Sequence, residues 1–236
     1  MKGIILAGGT GSRLHPLTVA VNKHLLPIGS EPMVLRCVNK LVEAGISDIV
    51  IVTNPEYVSD FSALLGSGKK YKCNITYKVQ DEPGGVAQAL GVCEDFVGTD
   101  ECCVLLGDNM FSDCITDHVE SFKQGNDSCH LFFKHVPDGH RYGVGTFDDG
   151  KLVKLVEKPE GVMGAYAAVG IYLYRPVVFD VIKKIKPSYR NELEITSVNA
   201  SLMETGDVSF SFLSGWWTDA GTMETYLLAN RLVNND

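Results

Sequence analysis

The stretch Leu6-Ala7-Gly8-Gly9-Thr10-Gly11-Ser12-Arg13-Leu14 follows at once on the apolar pair Ile4-Ile5, and its reading decides the fold. Three glycines within four residues let several backbone N–H groups converge on one anion, as a phosphate cradle requires. Arg13 adds a full positive charge at the end of the loop. Two familiar phosphate loops are excluded by spacing. A Walker A loop needs Lys-Ser/Thr after its last glycine, and no Lys follows Gly11 in that register. The dinucleotide fingerprint G-x-G-x-x-G meets Leu14 where its third glycine belongs. The remaining alternative to a cradle is a merely tight strand-to-helix turn.

Working outward, strands are expected at Ile4–Leu6, Asp48–Thr53, Ile75–Gln80 and Cys102–Leu106, continuous apolar runs suited to a sheet covered on both faces. Between them Met33–Ala44 puts Val34, Val38, Leu41 and Val42 on one helical face, and Gly45 ends the helix. Val86–Phe96 reads as another helix, with Ala87, Leu90 and Cys93 inward. This alternation predicts an α/β fold, a Rossmann-like doubly wound sheet, mixed but mainly parallel, with ligands at the carboxyl ends of its strands.

After about residue 125 the pattern changes. Tyr142–Phe147 and Leu152–Glu157 read as a hairpin around Asp148-Asp149-Gly150. Ala165–Tyr174 is a further strand, followed by helices at Pro176–Ile185 and Leu193–Glu204. A strand at Val208–Leu213 precedes Trp216-Trp217, read as core or interface packing, and a closing helix runs from Met223 to Val233. One domain over 1–236 is expected: a first half of about 1–110, a smaller antiparallel lobe of about 125–222, and a closing segment 223–236.

The 236 residues carry 21 Lys and Arg against 29 Asp and Glu, a net charge of −8, with 45 % apolar residues. That composition argues against disorder, and the acidic balance against a nucleic-acid partner. A few local cations still suffice for a small anionic ligand. The seven cysteines include no C-x-x-C pair and read as buried free thiols of a reducing compartment. No apolar run is long enough for a transmembrane helix, and the N-terminal one is too short for a signal peptide. A cytoplasmic protein without a membrane partner is expected.

Lys23, in Asn22-Lys23-His24-Leu25-Leu26-Pro27-Ile28, adds a second cation ten residues after Arg13, which suits a triphosphate or a departing pyrophosphate. G-G-T-G-S-R-L followed by K-x-L-L-P-I resembles the sugar-phosphate nucleotidyltransferases, most closely the glucose-1-phosphate thymidylyltransferases. The resemblance runs through Gln80, Pro83-Gly84-Gly85-Val86-Ala87-Gln88-Ala89, Gly107-Asp108-Asn109, Arg141-Tyr142-Gly143-Val144, Glu157-Lys158-Pro159, Glu192-Leu193-Glu194-Ile195-Thr196 and Trp217-Thr218-Asp219-Ala220-Gly221-Thr222.

The resemblance implies a transferase that joins a nucleoside triphosphate, dTTP favoured, to a sugar-1-phosphate, glucose-1-phosphate favoured, releasing pyrophosphate. It assigns the catalytic cations to Arg13, Lys23 and Lys158. It places Leu6, Gly8, Gly9, Thr10, Gly11, Ser12, Arg13, Gln80, Pro83, Gly85 and Asp108 around the nucleotide. Asn109, Gly143, Glu157, Lys158, Val169, Arg190 and Glu192 fall around the sugar phosphate, in the second lobe. Asp108 and Asp219 are implied as ligands of one Mg²⁺, the hard cation such carboxylates favour. A homo-oligomer, dimer or tetramer, is implied as well. Longer thymidylyltransferases carry a C-terminal helical extension that helps form a regulatory nucleotide site, for which this chain has little room.

Chemically the reaction is in-line displacement at the α-phosphorus, with positioning and charge stabilisation dominant. A sugar phosphate is already ionised near neutral pH, so no histidine is needed as base. The match departs at Gly84 and Val86, where Pro-Asp-Gly-Leu is usual, at Asn191 in Arg-Gly-Glu-Leu-Glu, and at Thr218 and Ala220 in Trp-Leu-Asp-Thr-Gly. Rival readings are a cytidylyl- or uridylyltransferase, a guanylyltransferase, and a non-catalytic sugar-nucleotide sensor. The sensor would be expected to have lost Arg13, Lys23, Asp108, Lys158 or Asp219.

Overall fold

Side-chain alternation along the first strand sets the layering. In β1 (Lys2–Leu6) Ile5 packs into one hydrophobic cluster, and Ile4 and Leu6 into another on the opposite face, as successive strand residues must. The computed structural model describes residues 1–235. After β1 come the two-residue strands β2 (Pro27–Ile28) and β3 (Glu31–Pro32), α1 (Met33–Glu43), β4 (Asp48–Thr53), α2 (Val58–Leu65), β5 (Asn74–Val79), α3 (Val86–Gly91), α4 (Glu94–Val97) and β6 (Cys102–Leu106). β1 pairs in parallel with β4 on one side and β6 on the other, and β4 with β5. This is the expected parallel half.

The rest of the chain comprises β7 (Asn109–Phe111), α5 (Thr116–Gln124), β8 (Cys129–Val136), β9 (Gly143–Asp148), β10 (Lys151–Glu157), β11 (Ala165–Tyr174), α6 (Val177–Ile182), α7 (Ile195–Thr205), β12 (Val208–Phe212), β13 (Trp217–Asp219) and α8 (Met223–Val233). β11 is the seam between the two halves. Its C-terminal part runs antiparallel to β6, with Ile171 opposite Leu105, while Tyr166 and Ala167 meet Gly145 and Val144 of β9. β8 also pairs with β11 and carries β12 in parallel. The resulting sheet has nine strands among the described residues, in the order β10-β9-β11-β6-β1-β4-β5, with β8 and β12 branching from β11. The Rossmann-like mixed sheet with an antiparallel lobe is what the alternation predicted. The hairpin turns through Asp149 and Gly150, both at positive φ.

Some expectations need correction. The helix expected over Val86–Phe96 is two helices, α3 and α4, parted at Val92-Cys93 just after Gly91, a weak helix former. Ala87, Leu90 and Cys93 are nonetheless all buried. The helix expected from Leu193 begins at Ile195, because the Leu193 backbone pairs elsewhere: its N–H donates to the Gly84 carbonyl at 2.8 Å and its carbonyl accepts from Ala87 N–H at 3.0 Å. The sequence does not predict β2, β3, α2, β7, α5, β8 or β13; β8 carries His130, Lys134 and His135 among its apolar residues, which spoils a clean strand pattern. Six cysteines are buried, while Cys114 is exposed and so departs from the expected burial. Adjacent Cys102 and Cys103 point into opposite clusters. Asp236, the last residue of the expected closing segment, lies outside the described residues. Among those residues no helix is long and apolar enough to cross a membrane.

Phe132 of β8 is fully buried in the cluster that contains Ile5. Phe132→Ala should lower the unfolding free energy by about 3–5 kcal/mol. The measurement is a urea titration, with an earlier midpoint and an unchanged slope.

Candidate active site

The loop that leaves β1 is held by polar groups on both sides. Ala7 N–H donates to Val52 O at 2.8 Å, and Ala7 O accepts from Asn22 Nδ2 and Thr53 Oγ1, each at 3.3 Å. Asn54 Oδ1 accepts from Gly9 N–H at 3.0 Å. Gly9 and Gly11 have φ of 97° and 62°, conformations that favour glycine. Gly8 serves close approach instead, since a Cβ there would lie 2.8 Å from Gln80 Oε1.

Lys23 opens a 3-10 turn, Lys23–Leu25, whose cap Asn22 accepts from His24 N–H at 2.9 Å. Its ammonium pairs with Asp108, at the end of β6. Between β6 and Asp108, Gly107 donates to Leu6 O at 2.9 Å. A Cβ at Gly107 would lie 2.7 Å from the His24 ring, so β1, β6 and the Lys23 turn meet at one point. Burial, with the Lys23 charge, lowers the His24 pKa to about 3. Its neutral ring fills space and donates through Nδ1 to Asn22 Oδ1 at 2.8 Å.

β13 delivers the second carboxylate. It pairs with β7 so that Asp219 sits opposite Asn109, and Ala220 N–H donates to Asp108 O at 2.8 Å. The Asp219 carboxylate accepts from Tyr142 Oη at 2.9 Å and from Arg141 Nη2 at 3.1 and 3.3 Å. Burial raises its pKa from the ordinary aspartate value, and the like charge of Asp108 adds to the rise. Burial would raise Asp108 too, but the neighbouring Lys23 ammonium outweighs it and holds that carboxyl well below the usual range. The two acids therefore differ in affinity for a proton while repelling one another.

Two adjoining cavities meet at Asp108. The first, of about 220 Å³, is walled by Leu6, Gly8, Gly9, Lys23, Gln80, Pro83, Gly85 and Asp108. The second, of about 420 Å³, is walled by Gly9, Arg13, Asp108, Asn109, Gly143, Glu157, Lys158, Arg190 and Asp219. Glu192 borders both. Thr10, Gly11 and Ser12 lie on the loop outside both walls. Val169 is corrected: its side chain is fully buried in the core. Strand alternation turns Ala168 and Gly170 to the second cavity in its place.

Charged groups crowd the far side of the second cavity. Lys158 has φ 44°, and its ammonium lies 3.3 Å from Glu157. Arg190 Nη2 reaches Glu194 at 2.8 Å, Glu192 at 3.1 Å and Glu157 at 3.5 Å. Glu157 also accepts from Thr196 Oγ1 at 2.5 Å. Asn109 Oδ1 already accepts from Gly170 N–H at 2.9 Å and Trp217 Nε1 at 2.8 Å, so its oxygen is committed within the protein. Polar and aromatic residues in the second cavity's wall that the sequence alone does not assign include Arg141, Tyr142, Tyr172, Glu194, Thr196 and Trp217. Most stand inside the quoted motifs, where adjacency to Gly143 and Glu192 was the available signal. Tyr172 lies on β11 with no such marker.

The donor set suits a hard divalent cation, which takes one or two carboxylates and completes its shell with water and substrate phosphate. Among the described residues no group of three or more His, Cys, Asp or Glu forms an all-protein cage. Asp108 and Asp219 supply two like-charged carboxylates beside a phosphate-sized space, and a cation between them would relieve their repulsion.

A glycine loop after a parallel strand, two carboxylates and a ring of cations define a nucleotide-handling enzyme, and the chain belongs to the nucleotidyl transferase family, whose sequence pattern matches residues 2–236. It is similar to the low-salt glycan biosynthesis nucleotidyltransferase Agl11 of Haloferax volcanii, with 40 % identity over 100 % of this chain and 67 % of that protein. The glucose-1-phosphate thymidylyltransferase of Xanthomonas campestris pv. campestris is 41 % identical over 95 % of this chain and 77 % of its own length. A Bacillus anthracis crystal structure in complex with sucrose, provisionally named a glucose-1-phosphate thymidylyltransferase, superposes with a TM-score of 0.96. It is 48 % identical, over 100 % of this chain and 96 % of that one. A UDP-glucose pyrophosphorylase complexed with UDP-glucose, 23 % identical over 99 % of this chain and 98 % of that one with a TM-score of 0.84, shares the fold.

The asymmetry of the two carboxyls is measurable. In ¹³C NMR titration of the protein without added metal, Asp219 should titrate above, and Asp108 below, the value of free aspartate, which is about 4. Asp108→Asn should lower the Asp219 midpoint, because a like charge is removed. Coincident midpoints would contradict the electrostatics described.

Proposed function

We propose that this nucleotidyl transferase is a glucose-1-phosphate thymidylyltransferase, joining dTTP to glucose-1-phosphate and releasing pyrophosphate. The observation that carries the reading is the placement of Asp108 in the walls of both cavities and of Asp219 in the second, with Lys23 lining the first and Arg13, Lys158 and Arg190 lining the second. The names of its relatives at about 40 % identity support the choice of base and sugar.

In this reading the first cavity takes the nucleoside and the second the sugar phosphate. The phosphates lie along the Gly8–Arg13 loop, where Arg13 and Lys23 offset their charge. Lys158 draws the sugar phosphate into line with the α-phosphorus. Glu157, Glu192 and Arg190 are placed to bond sugar hydroxyls, with Thr196 and Arg190 holding Glu157. Enzymes of this family generally use a divalent metal; here Mg²⁺ on Asp108 and Asp219 would offset charge on the phosphate oxygens. The attacking phosphate oxygen is already ionised, so no side chain has to take a proton from it. A homo-oligomer in the cytoplasm belongs to the same proposal.

The test is pyrophosphate release across a matrix of nucleoside triphosphates and hexose-1-phosphates, with dTTP and glucose-1-phosphate expected to give the highest kcat/KM. EDTA should stop turnover and added Mg²⁺ restore it. Lys158→Ala should cut turnover by about a hundredfold or more, with the thermal midpoint little changed. Near-native turnover in that variant would remove Lys158 from its role.

A further inference from the structure

Gln80 is largely buried at the back of the first cavity, and its amide is not free to turn. Which end of the amide is which follows from backbone partners that can only donate or only accept. Gln80 Nε2 donates to the Gly85 carbonyl at 3.2 Å. Its other hydrogen goes to Gln88 Oε1 at 2.6 Å. Gln88 Oε1 is in turn identified as oxygen by Gly84 N–H, which donates to it at 3.1 Å. Both Nε2 hydrogens are thus committed, and Oε1 is left as the face Gln80 shows to its surroundings. That oxygen lies beside Gly8, 2.8 Å from where a Cβ would stand. Among the described residues it accepts no hydrogen bond, and no fully enclosed side-chain polar atom lacks a partner. Gln80 Oε1 is therefore open to the cavity it lines.

Gly84 makes this arrangement possible. A Cβ at that position would lie 2.5–2.7 Å from the Gln88 amide atoms, so any larger residue displaces the Gln88 side chain from beneath the loop. The Gly84 carbonyl is meanwhile fixed to Leu193 N–H at 2.8 Å, which keeps the loop itself in place.

We propose that Gln88 is a positioning residue for base selection: it holds Gln80 with the carbonyl oxygen towards the first cavity, so that the site takes a pyrimidine carrying an N3–H and disfavours cytosine. The inference rests on the nucleotidyl-transfer reading above. Thymine and uracil present a donor at N3. Cytosine presents a lone pair there, which would face the lone pairs of Oε1 and leave both groups unpaired. Without Gln88 the Gln80 amide can turn over and offer Nε2 to cytosine N3, and the discrimination relaxes.

The test compares kcat/KM for dTTP, UTP and dCTP with glucose-1-phosphate in the full-length protein and three variants. Gln88→Met removes the acceptor and keeps the length of the side chain. Gly84→Ala evicts Gln88 without altering either glutamine. Gln88→Glu keeps an acceptor for both Gly84 N–H and Gln80 Nε2. The dTTP-to-dCTP ratio is expected to fall about tenfold or more in the first two variants, the scale of one unpaired polar group. It should stay within about twofold in Gln88→Glu, and the dTTP-to-UTP ratio should hold in all three. An unchanged dTTP-to-dCTP ratio in Gln88→Met, or a loss falling equally on dTTP and dCTP, overturns the proposal. If the unaltered protein releases no pyrophosphate with any triphosphate and sugar-1-phosphate, the functional reading itself has failed and takes the proposal with it.

Discussion

The short antiparallel ladder between Asn109–Phe111 and Trp217–Asp219 is the constraint on which the site depends. It ties a segment near the C-terminus to the chain just beyond the central parallel strands. The Ala220 N–H to Asp108 O bond and the Trp217 Nε1 to Asn109 Oδ1 bond lock that contact. Two carboxylates far apart in sequence are thereby forced to share one neighbourhood. Their repulsion is a cost that the bare protein bears with only partial relief.

Partial relief comes from a division of cations. Lys23 pairs with Asp108, whereas Arg141 and Tyr142 hold Asp219. Each of these contacts sets a positive or hydrogen-bonding group against a carboxylate that would otherwise face only the other acid. Pairs of this kind keep buried charges hydrogen-bonded. The acidic surface does not oppose such a site, because the relevant cations are few and gathered at the cavity walls. Arg190 plays the same part in the second lobe, where it holds the carboxylates of Glu157, Glu192 and Glu194 together.

Much of the parallel half was legible because its strands are continuous apolar runs with glycine or polar breaks. Asp48–Thr53 and Cys102–Leu106 match their predicted limits. The antiparallel half was read less completely. β8 escaped notice since its apolar alternation is interrupted by histidines and a lysine, which find partners only in three dimensions: His130 bonds Ser209 and Ser211 of β12. Val169 was misplaced for a different reason. The resemblance put it at the sugar phosphate, but a strand gives alternate residues to opposite faces, and Val169 faces the core.

By itself the sequence determined the chemical inventory: a glycine-rich loop after the first strand, the cations Arg13, Lys23 and Lys158, and two aspartates at strand ends. These are properties of residue type and short spacing, which local physics fixes. Only the tertiary structure decided how they combine. It set Asp108 beside Asp219, spent the Asn109 oxygen on Gly170 and Trp217, and drew Gln88 under Gly84 to orient Gln80. Such pairings join distant segments or depend on the room left by a missing Cβ, and neither leaves a periodic trace in the chain.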